Sequence, residues 1–223
     1  IRNHTGGWAM KKIVIDPRVI KHLGRDLITS PEVAVIELVK NSIDAKAKHI
    51  NLRLYNNYSH YESLPNYVRA AIPKQYLDLP MLIVEDDGRG MTNAALDDGF
   101  LKIATDIKTN EEGTLGEKGI GRLATQRLGT ALLVETSSVE ESQTSYVFID
   151  WNDVINGVEE VPNFEGPATP QHTRLIIFNV NLEDYIDNAM QFEQLSLDNS
   201  NVQFQYNREL KSAHNFLISP LDK

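Results

Sequence analysis

The chain has 223 residues, 41% of them hydrophobic and 24% charged, which suits one large globular domain or one and a half ordinary ones. Cysteine is absent, excluding disulfides, zinc–thiolate centres and thiol nucleophiles, and no apolar run approaches the roughly 18 residues of a bilayer span. A formal net charge of −9 argues against a broad nucleic-acid footprint here, leaving nucleic acid to a local basic patch or to other domains.

Ile1 to Ala9 read as an irregular leader outside the fold, with Met10-Lys11-Lys12 as a natural start. Nothing there resembles a secretory signal, so a cytoplasmic setting is expected. Lys12 to Ile15 is a predicted strand and Pro17 to Leu27 a short helix. Thr29-Ser30-Pro31-Glu32 then starts a helix running to about Ala47, with Ser30 as N-cap and Pro31 at the first helical position.

Within that helix Glu37, Asn41 and Asp44 stand at i, i+4 and i+7 and share one face. Val33, Ile36, Leu38, Val39 and Ile43 spread over the other faces, which predicts a largely buried helix with one polar seam. Such a seam either faces water or is satisfied by other groups: side chains, or a hydrated metal and a phosphate chain.

His49 to Tyr55 alternates Ile50, Leu52 and Leu54 with polar neighbours, as a half-buried strand does. Residues 56–80, punctuated by Pro65, Pro73 and Pro80, read as an insertion with a short helix around Tyr67 to Ala71. Its tyrosines suggest a loop packed on the sheet rather than a base-stacking surface, for want of a basic pattern among them. Met81 to Glu85 is an apolar strand ending in Glu85-Asp86-Asp87-Gly88-Arg89-Gly90-Met91. That ending is either a plain Asp-Gly turn or a wall where glycines let backbone approach a flat ligand while a buried Asp accepts from an exocyclic amine, such as adenine N6.

Thr92 to Lys102 is a predicted helix capped by Thr92; Ile103 to Gly113 is polar and expected to be mobile, and the polar, glycine-flanked stretch from Ile103 to Gly119 has the composition of a lid. Residues 103–113 lead into Gly116-Glu117-Lys118-Gly119-Ile120-Gly121-Arg122 and a helix to about Leu128. Glycines just ahead of a helix offer N–H groups and a dipole end to an anion. The spacing is neither that of the Walker loop nor that of the dinucleotide fingerprint, and the glycines follow a strand, a helix and a loop, so both of those folds are disfavoured. Thr130 to Thr136, Thr144 to Trp151 and Thr173 to Phe178 are predicted strands, Leu182 to Leu195 a helix, and Val202 to Tyr206 a short strand.

The ordered set E-L-V-K-N-S-I-D-A, V-E-D-D-G-R-G-M and G-E-K-G-I-G-R resembles the superfamily of gyrase, Hsp90, histidine kinase and MutL ATPases, over roughly Ile13 to Phe178. The resemblance implies a two-layer α/β sandwich of the Bergerat type, with a mixed, mostly antiparallel sheet and helices on one face. It implies ATP and Mg2+ as ligands, Glu37 as the base that activates water, and Asn41 as the metal ligand. Asp86 matches the adenine-reading aspartate, with Gly88, Gly90 and Met91 in the adjoining wall. Gly116, Gly119 and Gly121 match the phosphate-cradling glycines, and Lys118, Ile120 and Arg122 lie in the same loop. Asp44 is either structural or part of a water network under the adenine. Thr173 stands where the family has a threonine near that aspartate, but His172 replaces the glycine that often precedes it.

Histidine kinases resemble this pattern with Asn at the Glu37 position and a phosphoacceptor-histidine helix, neither of which is present, so a hydrolase is expected. The region from Ile13 to Asp44 and the long insertion look most like MORC-like and Hsp90-like bacterial members. The resemblance further implies ATP-linked homodimerisation and domains beyond residue 223, one of which would supply a catalytic lysine. The expected organisation is therefore a leader over 1–9, an ATP-binding domain over 10–180, and an extension or following domain over 181–223. The alternative function is an ATP-sensing switch with little turnover that controls an attached effector.

Overall fold

A computed structural model describes residues 9–15, 30–55, 57–58, 64–103, 124–181, 202–210 and 213–220. The expected helices over 17–27 and 182–195, the lid-like segment beyond Ile103 and the glycine loop over 116–122 lie outside the described residues. The elements in order are β1 (Ala9–Lys12), β2 (Val14–Ile15), α1 (Pro31–Asp44), β3 (Ile50–Tyr55), α2 (Asn66–Ala71), α3 (Lys74–Leu77) and β4 (Met81–Asp86). A π-helical turn (Ala95–Phe100), β5 (Lys102–Ile103), α4 (Ala124–Leu128), β6 (Ala131–Ser137), β7 (Gln143–Asp150) and α5 (Trp151–Ile155) follow. Then come β8 (Glu160–Pro167), β9 (His172–Phe178), β10 (Val202–Leu210) and β11 (Ala213–Pro220).

Among the described residues, nine strands form one sheet in the order β1-β8-β7-β6-β9-β4-β3-β11-β10. All its neighbouring pairs are antiparallel, and the parallel pairing of the mixed α/β fold is confined to a small separate sheet, β2 on β5. The strand expected over Lys12 to Ile15 is divided between the two sheets. The chain changes sheet at Ile13, which is buried and whose N–H donates to the Glu159 carbonyl at 2.8 Å.

Strand side chains alternate between faces, so each central strand feeds two cores. Leu82 and Val84 of β4, Leu132 and Val134 of β6, and Leu175 and Ile177 of β9 pack with Ala34, Val35, Leu38 and Val39 of α1. Burying each of these valine, leucine or isoleucine side chains contributes about 1.5–3 kcal/mol. Their neighbours Met81, Ile83, Leu133, Ile176 and Phe178 point the other way, onto Val68 of α2 and Tyr76 of α3. The expected helix-on-sheet sandwich is therefore present, and the insertion adds a partial layer behind it. Tyr58 and Tyr76 are buried in that layer. The Tyr76 hydroxyl donates to Asp150 at 2.5 Å, and burial together with that contact pushes the phenol up to about 12.

The helix expected from Thr92 to Lys102 has its cap, since Thr92 Oγ1 accepts from Ala95 N at 3.1 Å, but it winds mostly as a π-turn. The wider turn, closed by Leu101 N donating to the Leu96 carbonyl at 2.9 Å, brings residues five apart to the same side. Leu96 and Leu101 are both fully buried by it.

Candidate functional site

β4 ends at Asp86, on the face of the sheet that packs against α1. The cross-strand register sets Asp86 beside Thr173 on β9, and Thr173 beside Thr136 on β6, so the three side chains form one row. Asp86 is 6% exposed. One of its carboxylate oxygens accepts from Ser42 Oγ at 2.8 Å and the other from Gly88 N at 2.9 Å. Burial raises its pKa, and these two hydrogen bonds oppose the rise without cancelling it. Each carboxylate oxygen has two lone pairs, so both retain capacity for a further donor.

Ser42 lies within the helix motif, where its sequence position signals no role; it ties α1 to the end of β4 across 44 positions. Thr136 had no sequence signal at all, standing at the end of an apolar strand. Its Oγ1 accepts from Met91 N at 2.8 Å, donates to the His172 carbonyl at 3.1 Å, and lies 3.4 Å from Thr173 Oγ1. Met91 is thus placed in the row through its backbone, while its side chain packs on the α1-side core.

The loop between Asp86 and Met91 is clamped against the end of α1. Arg89 N donates to the Ala45 carbonyl at 2.9 Å, and a Cβ on Gly88 would come within 3.0 Å of Ala45. Asp87 accepts from Lys48 N at 2.6 Å, His49 N at 2.8 Å and His49 Nδ1 at 2.7 Å. Burial alone would raise the Asp87 carboxyl, but these contacts outweigh it and hold the pKa below the ordinary value. Gly90 has φ +67°, and a Cβ there would sit 2.0 Å from the Ser137 carbonyl oxygen. Gly90→Ala should therefore cost at least about 1–2 kcal/mol for the left-handed backbone, before any relief of the clash. Thermal unfolding measures this; an unchanged melting temperature would show that the loop has room to move.

α1 begins as expected, with Val33 N donating to Ser30 Oγ and Pro31 in the first turn. It is less enveloped than the sequence suggests: Val33 is 40% exposed, and Ile36 and Ile43 are only part-buried. The seam opens outward, with Asn41 and Asp44 exposed and Glu37 half-buried. Glu37 accepts from Lys40 Nζ at 2.8 Å. α4 starts at Ala124, two residues after Arg122, and packs against α1.

The structure thus brings Asp86, Gly88, Gly90, Met91 and Thr173 together, and joins them to the Glu37–Asn41–Asp44 helix through Ser42 and Ala45. Gly116, Lys118, Gly119, Ile120, Gly121 and Arg122 lie outside the described residues. Among the described residues no group of three acidic, histidine or cysteine side chains is arranged to hold a metal. Mg2+ typically takes few protein ligands and keeps water and phosphate oxygens for the rest, so a single exposed carboxamide on α1 fits that donor set. No helix among the described residues is long and apolar enough to cross a membrane.

No curated protein matches the chain. The sequence profile of the histidine kinase-, DNA gyrase B- and HSP90-like ATPases does match, over residues 28–174. That span runs from the cap of α1, through the Asp86 loop, to the Thr173 row. The match covers well over half of the chain, and the chain belongs to this ATP-binding family.

Proposed function

We propose that the chain is a Mg2+-dependent ATPase module whose nucleotide cycle drives a conformational change or ATP-linked homodimerisation of a larger cytoplasmic protein. The observation that carries this is the buried Asp86, held by Ser42 and Gly88 beside Thr173 and locked to the helix that presents Glu37 and Asn41. Asp86 would accept from the adenine amine. Asn41 would hold the metal, which when bound neutralises phosphate oxygens. Glu37, one helical turn before Asn41, would orient and deprotonate the attacking water. Asp44, exposed one turn beyond, would join the solvent network at the base end. The resemblance assigns the phosphate chain to the 116–122 loop, and α4, which follows that loop, packs on α1.

One observation favours the second reading, an ATP-sensing switch with little turnover: the Glu37 carboxylate is engaged by Lys40. Glu37 is 34% and Lys40 56% exposed, and pairs so near the surface are worth about 0–1 kcal/mol. Displacing Lys40 is therefore easy, and hydrolysis remains the better reading. Titration calorimetry with ATP, with and without Mg2+, combined with phosphate-release kinetics, tests it. Magnesium-enhanced binding with slow but measurable turnover is expected. Binding with no release above background would favour the switch, and absence of binding would overturn both.

A further inference from the structure

Behind the site, on the opposite face of the sheet, runs a row of alternating charges. Arg53 of β3 pairs with Glu85 of β4. The other Glu85 oxygen accepts from Arg174 Nη2 at 2.7 Å, and Arg174 Nη1 donates to Glu135 at 2.8 Å. Glu135 in turn meets His172 Nε2 at 3.1 Å. The remaining His172 nitrogen lies 2.9 Å from the Pro170 carbonyl. These contacts cross four strands, and their carboxylate and guanidinium groups are only 7–20% exposed from β4 to β6.

Each member from β4 to β6 is the chain neighbour of a site residue: Glu85 precedes Asp86, Glu135 precedes Thr136, and His172 and Arg174 flank Thr173. Successive strand side chains leave the backbone in opposite directions, so fixing one fixes the Cα–Cβ direction of the next. The planar Arg174 fork ties together the carboxylates of both flanking strands, beside the backbone ladder, at the row where the ligand-side groups stand. His172, the residue that departs from the family pattern, closes the row, and its own carbonyl accepts from Thr136.

We propose that Arg174, bridging Glu85 and Glu135 with His172 behind them, is a positioning residue for base recognition. It holds the orientation of Asp86, Thr173 and Thr136 from the reverse face, and so tunes affinity for the adenine end of the nucleotide. This rests on the nucleotide reading above. None of the four side chains faces the ligand side.

The test compares wild-type chain with Arg174→Met, Arg174→Lys and Glu135→Gln by titration calorimetry, well below each melting transition, using ATP, ADP and inorganic tripolyphosphate with Mg2+. Arg174→Met and Glu135→Gln should weaken ATP and ADP by the same factor, roughly three- to thirtyfold, as mutations remote from a ligand do when they are coupled to it. Tripolyphosphate binding should not change, and Arg174→Lys, charged but without the fork, should fall between. If Arg174→Met does not fold, the other two variants carry the comparison. Folded variants with lowered melting temperatures but wild-type ATP and ADP affinity would reduce the row to a stabilising element and overturn the proposal. Equal losses for tripolyphosphate would overturn it too, as a general loosening. Wild-type protein that binds neither ATP nor ADP would instead bring down the nucleotide reading on which it stands.

Discussion

Asp86→Ala is expected to weaken ATP binding severely while leaving a folded protein. The carboxylate is the buried acceptor at the head of the Asp86–Thr173–Thr136 row, and its loss would leave the amine of an adenine bound there without that partner. An unpaired buried donor costs about 1–3 kcal/mol or more, so affinity should drop roughly ten- to several-hundredfold by calorimetry. Unchanged affinity would put the base elsewhere. Asp86→Asn separates folding from recognition. Burial raises the native carboxyl above 3.8, so the folded state holds this proton more tightly than the unfolded one. The Asp86 contribution to stability is therefore greatest at low pH and declines as pH rises from 3.8 through the raised folded value. Removing the charge with Asn should keep or raise the melting temperature at neutral pH and flatten that part of the pH profile.

Glu37→Ala should lower turnover by about 10²–10⁴-fold, the usual contribution of a positioned general base. ATP affinity should stay near that of wild type, because the residue would touch water rather than nucleotide. Its half-exposed position and weak Lys40 pairing mean that truncation removes no core contact, so stability should hardly move. Asn41→Ala gives the contrast: loss of the proposed metal ligand should weaken Mg2+-dependent binding and turnover together. A folded Glu37→Ala protein that hydrolyses ATP at the wild-type rate would sink the mechanism.

What the sequence made legible was local. Ser30-Pro31 marked the start of α1, and the alternation of Ile50, Leu52 and Leu54 and the apolar runs into Asp86, Thr136 and Phe178 marked the central strands. β8 escaped because Pro162, Gly166 and Pro167 imitate loop punctuation; Pro162 is tolerated one strand in from the sheet edge, opposite Met10 of β1. Thr92 predicted the cap, but only the burial of both Leu96 and Leu101 selects a π-turn over an α-helix. The roles of Ser42 and Thr136, and the Glu85–Arg174–Glu135 row, depend on register between strands far apart in sequence, which no local pattern encodes. Gly88 and Gly90 were legible as turn formers; that each also makes room for another segment's backbone was not.

The double-sided burial of β4, β9 and β6 has a mechanical consequence. A strand paired along both edges and packed on both faces has no soft direction, because movement either way compresses a close-packed interior. Asp86, Thr173 and Thr136 sit at the ends of such strands and behave as a rigid anvil. Glu37 and Asn41 ride on a helix that is packed on one side and open on the other. If the proposed nucleotide cycle moves anything, the helix layer is the part free to shift, with the sheet as its fixed ground.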